Sequence, residues 1–394
     1  MGSASGRSRA RGRLTAVGAA CAVTAALVAV PLVQHETRHE TRHEAQHTAR
    51  RGAPHTAADP SQAQAEPQAP PTAPHGPGGA RQATASTEPA APSQEETCPS
   101  TGQPAQASVP ASKAGGPTID AMLARKGDDR KLVVGVDQNS YRWGYLNPAT
   151  DQFEGFDIDL AHAIAKNIFG DADAVTFKPV STAERTTALA NGSVDLVVRT
   201  MTIACNRLDQ AEFSTAYFTA GQQVLAPKDD SGITGYNSSL SGRRVCTATG
   251  STAVQELEKA DPYHVVFWDR SNGKGYNPHH VDTDDLSVAN QLDCLVRLQL
   301  GLVDAVITDN ALAAAQAAQD PAVELKGRKP FTTEYYGVAA KPGADDLVAR
   351  VNSVLEQYRS GGAASPWRRS YDKWLKAELG PSAGPPAPLY LAGH

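Results

Sequence analysis

The sequence lacks an excess of positive charge: 37 lysines and arginines stand against 42 aspartates and glutamates, for a formal net charge of -5. Nucleic-acid-binding surfaces carry clustered basic residues, so we expect no nucleic-acid partner. Histidines are scarce beyond residue 118, and each fits a helix surface or a loop. We find no metal-ligand spacing there and no serine or cysteine paired with histidine in a catalytic setting. The sequence therefore predicts no catalytic residue, no metal and no cofactor.

Large apolar residues are missing from residues 34–118, which contain no Leu, Ile, Phe, Tyr, Trp or Met, and only Val109 could join a core. Such a segment cannot bury enough apolar surface to offset the entropy of ordering it. We therefore predict a disordered tether over residues 34–117, rich in Ala, Pro, Gln and His. Four of its histidines are spaced four residues apart, which would align them on a helix: His35, His39, His43 and His47. We interpret this repeat as solvated linker without a metal.

An apolar run precedes the tether. Four arginines before residue 14 are followed by twenty uncharged residues, LTAVGAACAVTAALVAVPLV. A basic region followed by such a run is typical of an export signal or of an N-terminal membrane anchor. Both alternatives stay open, because Thr24 and Ala26 would permit cleavage after Ala26 while the intact run could span a bilayer. In either case we expect residues 1–33 to place the chain outside the cytoplasm, secreted or tethered to the outer face of the membrane.

Four of the five cysteines lie beyond the apolar run, namely Cys98, Cys205, Cys246 and Cys294. An even number in an exported chain predicts two disulfides, for which three pairings are possible. We favour Cys246 with Cys294, since both fall in one predicted folded unit. Cys98 with Cys205 would then join the tether to the folded part.

From Ile119 onward, predicted strands alternate with predicted helices, the pattern of an α/β fold. KLVVGV reads as a buried strand, and DIDLAHAIAKNIFG as an amphipathic helix closed by Gly170. TAVQELEKA reads as a helix capped by Thr252, and SVANQLDCLVRLQLG as a helix ending at Gly301. The segment NGSVDLVVRT is echoed by LGLVDAVITD about a hundred residues later. This echo indicates two similar units.

Polar sequences follow four predicted strands: DQNSYRWGY, RTMTIACNR, TATGST and TDNA. Ligands of open α/β sheets bind beyond the carboxyl ends of the strands. Arg207 could grip a carboxylate with two hydrogen bonds. Asp309 could hold an ammonium, or could instead cap the helix NALAAAQAA. Gly250, Ser251 and Thr252 would offer backbone N–H groups at a helix N-terminus, which suits an anion. Together these groups predict a site for a zwitterion.

Five segments resemble one known family: GFDIDLAHAIAK, TMTIACNRLDQAEFSTAYF, RRVCTATGST, GLVDAVITDNA and YYGVAAKPG. They are similar to the extracytoplasmic solute-binding proteins of polar amino-acid ABC transporters, family 3, and most of all to the actinobacterial glutamate- and glutamine-binding branch. The resemblance spans about residues 119–379. It implies an α/β, two-lobed type II periplasmic-binding-protein fold with two hinge crossings.

With that resemblance, we expect the chain to divide into five parts: a signal or anchor over 1–33, the tether over 34–117, lobe I over 118–223 and 330–379, lobe II over 224–329, and a flexible tail over 380–394.

The resemblance also implies roles for further residues. Thr202 and the carbonyl of Thr200 would lie beside Arg207 at the ligand's α-carboxylate. Tyr141 would cover the ligand, although DQNSYRWGY aligns only loosely with the family at this point. The family's cysteines correspond to both disulfides that we favour.

Specificity is expected to depend on Arg199, where many glutamine binders of the family have a small residue. A second positive charge favours a second carboxylate, which predicts glutamate or aspartate over glutamine. Alternatively, Arg199 pairs with a nearby acid such as Asp137, which we also count among the candidate ligand-binding residues. Arg207 would belong to lobe I and Asp309 to lobe II, so the ligand would favour the closed form.

We therefore expect a monomeric amino-acid-binding protein, not an enzyme, that delivers its ligand to an ABC transporter permease. Three alternatives remain open: a sensor subunit for a membrane signalling partner, a glutamine-specific binder, and an enzyme resembling cyclohexadienyl dehydratases.

Overall fold

The computed structural model describes residues 97–259, 262–283 and 286–392. Our predictions for residues 1–33 and for the histidine repeat fall outside these described residues. Across the described ranges, every helix is too short or too polar to span a lipid bilayer.

Short helices and strands alternate along the described chain. The helices are α1 (Pro117–Leu123), α2 (Phe156–Phe169), α3 (Arg185–Ala190), α4 (Thr252–Lys259), α5 (Gln291–Gln299), α6 (Asn310–Gln319), α7 (Asp345–Arg359), α8 (Pro366–Trp374) and α9 (Lys376–Leu379). The strands are β1 (Leu132–Val136), β2 (Asn139–Ser140), β3 (Gly144–Asn147), β4 (Gln152–Glu154), β5 (Val175–Pro179), β6 (Leu196–Val197), β7 (Glu212–Phe213), β8 (Phe218–Ala220), β9 (Gln222–Pro227), β10 (Val245–Ala248), β11 (Phe267–Asp269), β12 (Lys274–Tyr276), β13 (Ser287–Val288), β14 (Ala305–Asp309), β15 (Val323–Lys326), β16 (Glu334–Tyr336) and β17 (Ala339–Ala340).

One five-stranded sheet has the order β5-β1-β6-β17-β7. β1 runs parallel to β5 and β6, while β17 is antiparallel to β6 and β7. Leu132, Val134 and Leu196 of this sheet are buried in a core that also takes residues from α2, α7 and α8. As predicted, the helix that follows β4 ends at Gly170, whose φ of +81° is readily adopted only by glycine.

The second five-stranded sheet has the order β13-β10-β14-β9-β15. β10 is parallel to β13 and β14, and β9 is antiparallel to β14 and β15. Two predictions are corrected here. SVANQLDCLVRLQLG forms β13 followed by α5, because residues 287–288 pair with the edge of β10. In α4, the hydroxyl of Ser251 rather than Thr252 accepts the hydrogen bond from Val254 N–H, at 3.4 Å.

The chain crosses between the two sheets twice, so the molecule is the two-lobed α/β fold implied by the resemblance. It leaves the first sheet through β8 into β9, and it returns from β15 into β16. β8 and β16 pair with each other in antiparallel fashion, with Ala220 opposite Glu334. We refer to the lobe built on the β5-β1-β6-β17-β7 sheet as lobe I and to the other as lobe II.

The repeated sequence motif has the same structural role in each lobe. Asp195 accepts hydrogen bonds from Val133 N–H and from the guanidinium of Arg125. Asp304 likewise accepts from the N–H and the guanidinium of Arg244. Each aspartate thus joins the start of its own strand to the neighbouring parallel strand, which gives a physical reason for its recurrence.

Residues 97–116, here called the N-terminal arm, lie against lobe I rather than extending as tether. Cys98 forms a disulfide with Cys205, and the hydroxyl of Ser108 donates to the carbonyl of Phe213 at 2.6 Å. Composition alone predicted disorder to residue 117. The arm is ordered because a disulfide, buried hydrogen bonds and the burial of Ala105 in the core of lobe I hold it in place. The second disulfide joins Cys246 and Cys294 in lobe II, so the structure contains both pairings that we favoured.

The C-terminal tail, expected to be flexible, packs on this arm as far as residue 392. Ser108 N–H donates to the carbonyl of Leu389, and Leu391 N–H donates to the carbonyl of Ser108. The Tyr390 hydroxyl donates to Glu356 of α7 at 2.8 Å. Backbone pairing with the arm therefore orders a segment whose Gly- and Pro-rich sequence suggested none.

Candidate functional site

The carboxyl ends of β6, β10 and β14 meet between the lobes, where they enclose the site cavity. Its lining from lobe I consists of Thr182, Arg185, Arg199, Thr200, Thr202 and Arg207. The remaining lining residues are Gln222, Ser251, Thr252, Gln291, Asp309 and Leu312. The cavity holds about 20 Å³ of free space, which is little more than one water molecule needs. An amino acid would therefore enter only after the lobes separate.

Arg207 ends a short 3-10 turn just beyond the disulfide-bonded Cys205. Its guanidinium is buried; it donates to the carbonyl of Thr202 at 2.6 Å and, across the cleft, to the carbonyl of Gly250 at 3.0 Å. Burial lowers the pKa of Arg207, and the carboxylates of Glu334 and Asp309 oppose that shift. The turn thus holds a desolvated positive charge at the boundary between the lobes.

Arg185 is a lining residue that the sequence analysis missed. It begins α3, and its guanidinium donates to the carbonyls of Thr182 at 2.9 Å and Gly250 at 3.1 Å. Burial, followed by the charges of Arg207 and Arg199, lowers its pKa. A signal was present, since Arg185 shares the buried face of α3 with Ala188 and Leu189. An arginine on the apolar stripe of a helix seldom lacks a polar partner.

Arg199 forms a buried ion pair with Asp137 at 2.8 Å, which is the alternative considered from the sequence. It also donates to the hydroxyl of Thr182 at 2.9 Å. Arg199 nevertheless lines the site cavity, whereas Asp137 lies behind it and does not. Within the described part of the chain, Arg199 Nε is a buried donor without a hydrogen-bond acceptor. The charge that faces the cavity is therefore partly neutralised, and one donor is left unused.

Asp309 ends β14 and precedes α6, but its side chain makes no capping hydrogen bond to that helix. Its two oxygens instead accept from Gln222 Nε2 and from the hydroxyl of Tyr336. Burial and the nearby carboxylate of Glu334 raise its pKa to about 7. The helix-cap interpretation thus does not account for this carboxylate, which two hinge strands hold at the site cavity.

The turn at Gly250 meets the other lobe with its carbonyl, while the anion site expected at the N–H groups of Gly250, Ser251 and Thr252 stays a prediction. The carbonyl of Gly250 accepts hydrogen bonds from Arg185 and Arg207. Ser251 N–H is bonded to the carbonyl of Ala248 at 3.0 Å. Gly250 has a φ of +76°, and a Cβ there would lie 3.0 Å from Ala183 Cα of lobe I. Glycine is therefore needed both for the turn and for close approach of the lobes.

Gly250→Ala should weaken ligand binding about tenfold or more, because the added methyl group opposes closure and overpacking costs about 1–3 kcal/mol. Isothermal titration calorimetry would measure the loss. Gly301→Ala is a matched control: Gly301 also has a positive φ, of +69°, but nothing lies within 4 Å of its added Cβ. It should lower stability without changing affinity. Equal affinity losses in both variants would argue against an effect on closure.

Thr200 and Thr202 both line the site cavity, and Thr200 does so with a strained backbone. Thr200 has a φ of +40°, unfavourable for a β-branched residue. Its N–H donates to Asp157 Oδ2 at 3.0 Å, and the Tyr217 hydroxyl donates to Asp157 Oδ1 at 2.8 Å. Burial raises the pKa of Asp157 to about 7. The buried carboxyl group thus fixes a strained backbone beside the cavity.

Tyr141 is not among the residues that line the site cavity, contrary to expectation. Its ring packs against Tyr145, with centroids 5.2 Å apart, and under the guanidinium of Arg142. The aromatic residue that reaches the other lobe is Trp143, whose Nε1 donates to the carbonyl of Ala311 at 3.2 Å. The loose match of DQNSYRWGY to the family is therefore consistent with the position of Tyr141 outside the cavity lining.

The lobes are closed against each other in this structure. Besides the bonds to Gly250 and Ala311, Thr182 N–H donates to the carbonyl of Ala289 at 3.2 Å. Arg199 Nη2 approaches Asn290 Oδ1 at 3.4 Å. All these bonds join a residue of lobe I to a loop or helix of lobe II, so the cavity is an interlobe site.

Comparison with known proteins identifies the relatives of this architecture. The family model for bacterial extracellular solute-binding proteins, family 3, matches residues 132–377. The ABC transporter glutamine-binding protein GlnH of Bacillus subtilis is 34% identical over 259 residues, which cover 66% of this chain and 86% of GlnH. The glutamate-binding protein GluB of Corynebacterium efficiens is 26% identical over 270 residues, covering 66% of this chain and 82% of GluB.

Solved structures show the same fold. An ancestral arginine-binding protein bound to glutamine is 32% identical, with a TM-score of 0.51; the match covers 64% of this chain and 98% of that one. The ancestral amino acid-binding protein AncCDT-1, a precursor of cyclohexadienyl dehydratase, is 29% identical with a TM-score of 0.53, covering 66% and 100%.

Proposed function

Because the chain belongs to the bacterial extracellular solute-binding proteins, family 3, we propose that it binds a free acidic amino acid, glutamate or aspartate, and delivers it to an ABC importer. One observation carries the proposal: buried Arg207 of lobe I and buried Asp309 of lobe II line the same cavity. An amino acid has a carboxylate for the first and an ammonium for the second. It can satisfy both only when the lobes are closed.

Unpartnered polar atoms around the site cavity support a polar ligand. Arg199 Nε, Gln222 Oε1 and Gln291 Oε1 are buried without hydrogen-bond partners among the described residues. A buried unpaired donor or acceptor costs about 1–3 kcal/mol. In the proposed complex, Gln222 Oε1 joins Asp309 at the ammonium, and Arg199 Nε donates to a side-chain oxygen of the ligand.

The balance of charge favours an acidic ligand. Three guanidiniums line the cavity, from Arg185, Arg199 and Arg207, against the single lining carboxylate of Asp309. Asp137 neutralises one of the three through its ion pair with Arg199. Among these lining groups and Asp137, one positive charge is left in excess, and glutamate or aspartate carries one net negative charge; Glu334 acts on Arg207 and Asp309 from outside the cavity lining and is not counted. Arg199 by itself does not provide a free second charge, because it is paired with Asp137.

Arg199→Gln tests the ligand class. It leaves Asp137 unpaired beside the cavity, so glutamate binding should weaken about tenfold or more, and glutamine binding much less. Asp137→Asn is the matched opposite change and should favour glutamate relative to glutamine. Calorimetric titrations of full-length protein with both ligands would measure these ratios. Equal losses for both ligands in Arg199→Gln would refute a role of Arg199 in side-chain recognition.

A second function has one observation in its favour. AncCDT-1 is named as a precursor of an enzyme, so the dehydratase-like alternative stays testable by an elimination assay. The matched family, however, consists of solute-binding proteins. We propose an extracytoplasmic, monomeric binding protein that meets a permease, either secreted after cleavage of residues 1–33 or held at the membrane by them. A sensor role would use the same site, and pull-down of a signalling partner instead of a permease would favour it.

A further inference from the structure

A second cavity, here called the arm cavity, adjoins the site cavity and has a volume of about 310 Å³. The two cavities share Thr202 and Thr252 as lining residues. Its other walls come from four separate parts of the chain: Gln106 of the N-terminal arm, residues 203–206 of lobe I, residues 255–256 of α4 in lobe II, and residues 332–335, which lead into β16. The arm cavity is therefore complete only when the arm is docked and the lobes are closed.

Glu334 gives the arm cavity a buried negative charge. Glu334 is only 4% exposed. Its Oε1 accepts a hydrogen bond from the hydroxyl of Thr332 at 2.9 Å. In residues 97–392 as described, no lysine or arginine lies within ion-pair distance of Glu334. The described lining residues include Glu256 but no cationic side chain. Arg207 is near enough for the charge of Glu334 to oppose the lowering of its pKa, but its guanidinium lines the site cavity and is bonded to two carbonyls.

Gln106 provides an independent indication of a ligand. The residue is 8% exposed, and its Oε1 is buried without a hydrogen-bond partner among the described residues. The arm holds it there, between the disulfide at Cys98 and the hydrogen bonds of Ser108. A buried acceptor without a donor costs about 1–3 kcal/mol. A ligand that donates hydrogen bonds would remove this penalty and would also neutralise Glu334.

We propose that the arm cavity binds a small primary amine through its ammonium group, as a site distinct from that of the amino acid. An ammonium carries a positive charge and three donors, which suits the Glu334 carboxylate, the Gln106 amide oxygen and a threonine hydroxyl of the hinge strand. The volume lies at the lower end of small-molecule sites. A metal ion fits less well, because the described residues contain no group of three metal-binding side chains and Ca²⁺ requires six to eight oxygens.

Such a ligand would stabilise the closed form, since it contacts the arm, the hinge strand and α4 together. A ligand that binds one of two conformations better shifts the population toward it. An amine in the arm cavity would then increase the affinity for the amino acid. By linkage, the amino acid would increase the affinity for the amine by the same factor.

The test is titration of the full-length protein with 1,4-diaminobutane, by calorimetry, with and without saturating glutamate. Tetramethylammonium, which has the charge but no donor, and calcium chloride are the comparison probes. Glu334→Gln removes the charge at nearly constant volume, and Gln106→Leu removes the acceptor. Gln103→Leu, in the same arm but outside the cavity lining, is the matched control. A separate glutamate titration of each variant reports on the amino-acid site independently.

We expect saturable 1:1 binding of the diamine, tighter in the presence of glutamate. It should weaken about tenfold or more in Glu334→Gln and several-fold in Gln106→Leu, with no change in Gln103→Leu. The proposal is overturned if the diamine fails to saturate, if tetramethylammonium binds equally well, if calcium displaces the diamine, or if Gln103→Leu has the same effect as Gln106→Leu. If Glu334→Gln does not fold, the comparison of Gln106→Leu with Gln103→Leu still tests the proposal.

Discussion

Arg207→Ala should weaken amino-acid binding about 100-fold or more. Truncating one partner of a buried, hydrogen-bonded charge pair costs about 2–5 kcal/mol, and 1.4 kcal/mol corresponds to a factor of ten. In the proposed complex the ligand's α-carboxylate is that partner, and Arg207 is 6% exposed. Arg207→Lys should have an affinity between those of the wild type and Arg207→Ala, because lysine keeps the charge but cannot form the two-pronged hydrogen bond.

Calorimetry on the purified variants measures this effect. Arg130→Ala is a suitable control, since Arg130 is an exposed residue of lobe I whose guanidinium donates to the carbonyl of Leu123 and lies over the ring of Phe169, away from the site cavity. Wild-type affinity in Arg207→Ala would place the carboxylate elsewhere, with Arg185 as the next candidate.

Amino-acid affinity should fall as the pH is lowered through 7. The bound ammonium requires an ionised Asp309, whose pKa in the structure is raised to about 7. Below that pH a proton competes with the ligand, so the dissociation constant should rise by up to tenfold per pH unit. Asp309 is faced by Glu334, Arg207, Arg185, Gln222 and Tyr336. Proton release on binding, measured by titration near pH 6 in two buffers with different ionisation enthalpies, would report the same event.

Asp309→Asn is the control for this pH dependence. It should bind the amino acid about 100-fold more weakly at pH 8, with an affinity that no longer varies with pH between 6 and 8. A wild-type dissociation constant that stays flat from pH 5.5 to 8 would exclude Asp309 as the ammonium partner.

The same pKa shift has a consequence for stability without ligand. Asp309 binds its proton more tightly in the folded state, near 7, than at its ordinary value of 3.8, and Asp157 behaves alike. Between about pH 4 and 7 the folded state therefore holds more protons than the unfolded state, so stability from these groups decreases as the pH rises through that range.

Several features of the fold could be read from the sequence because they are local. Gly170 ends α2 through a positive φ, and the echo of NGSVDLVVRT in LGLVDAVITD indicates two similar units. Proximity in sequence also grouped Thr200, Thr202 and Arg207 on one segment. The order of the N-terminal arm and the C-terminal tail could not be read, because it depends on a disulfide and on pairing between residues nearly 300 positions apart.

The site itself was predictable in its charged groups but not in their partners. The sequence offers Asp137 both as a partner of Arg199 and as a candidate ligand-binding residue, and only the 2.8 Å distance between the two side chains identifies the ion pair. The carbonyl of Gly250 became an acceptor through lobe closure, which brings it to α3. Arg185 could not be assigned to the site because the sequence does not show that the start of α3 meets the other lobe. The contacts of Arg185 and of the Gly250 carbonyl depend on how the two lobes meet, and the sequence of a single segment does not show this.

The central claim is that the interlobe cavity holds an acidic amino acid, and titration of the full-length protein with glutamate, aspartate and glutamine under identical conditions tests it most directly. We predict 1:1 binding in which glutamate or aspartate is tighter than glutamine. Tighter binding of glutamine than of both acids, or no binding of any of the three, would contradict the account.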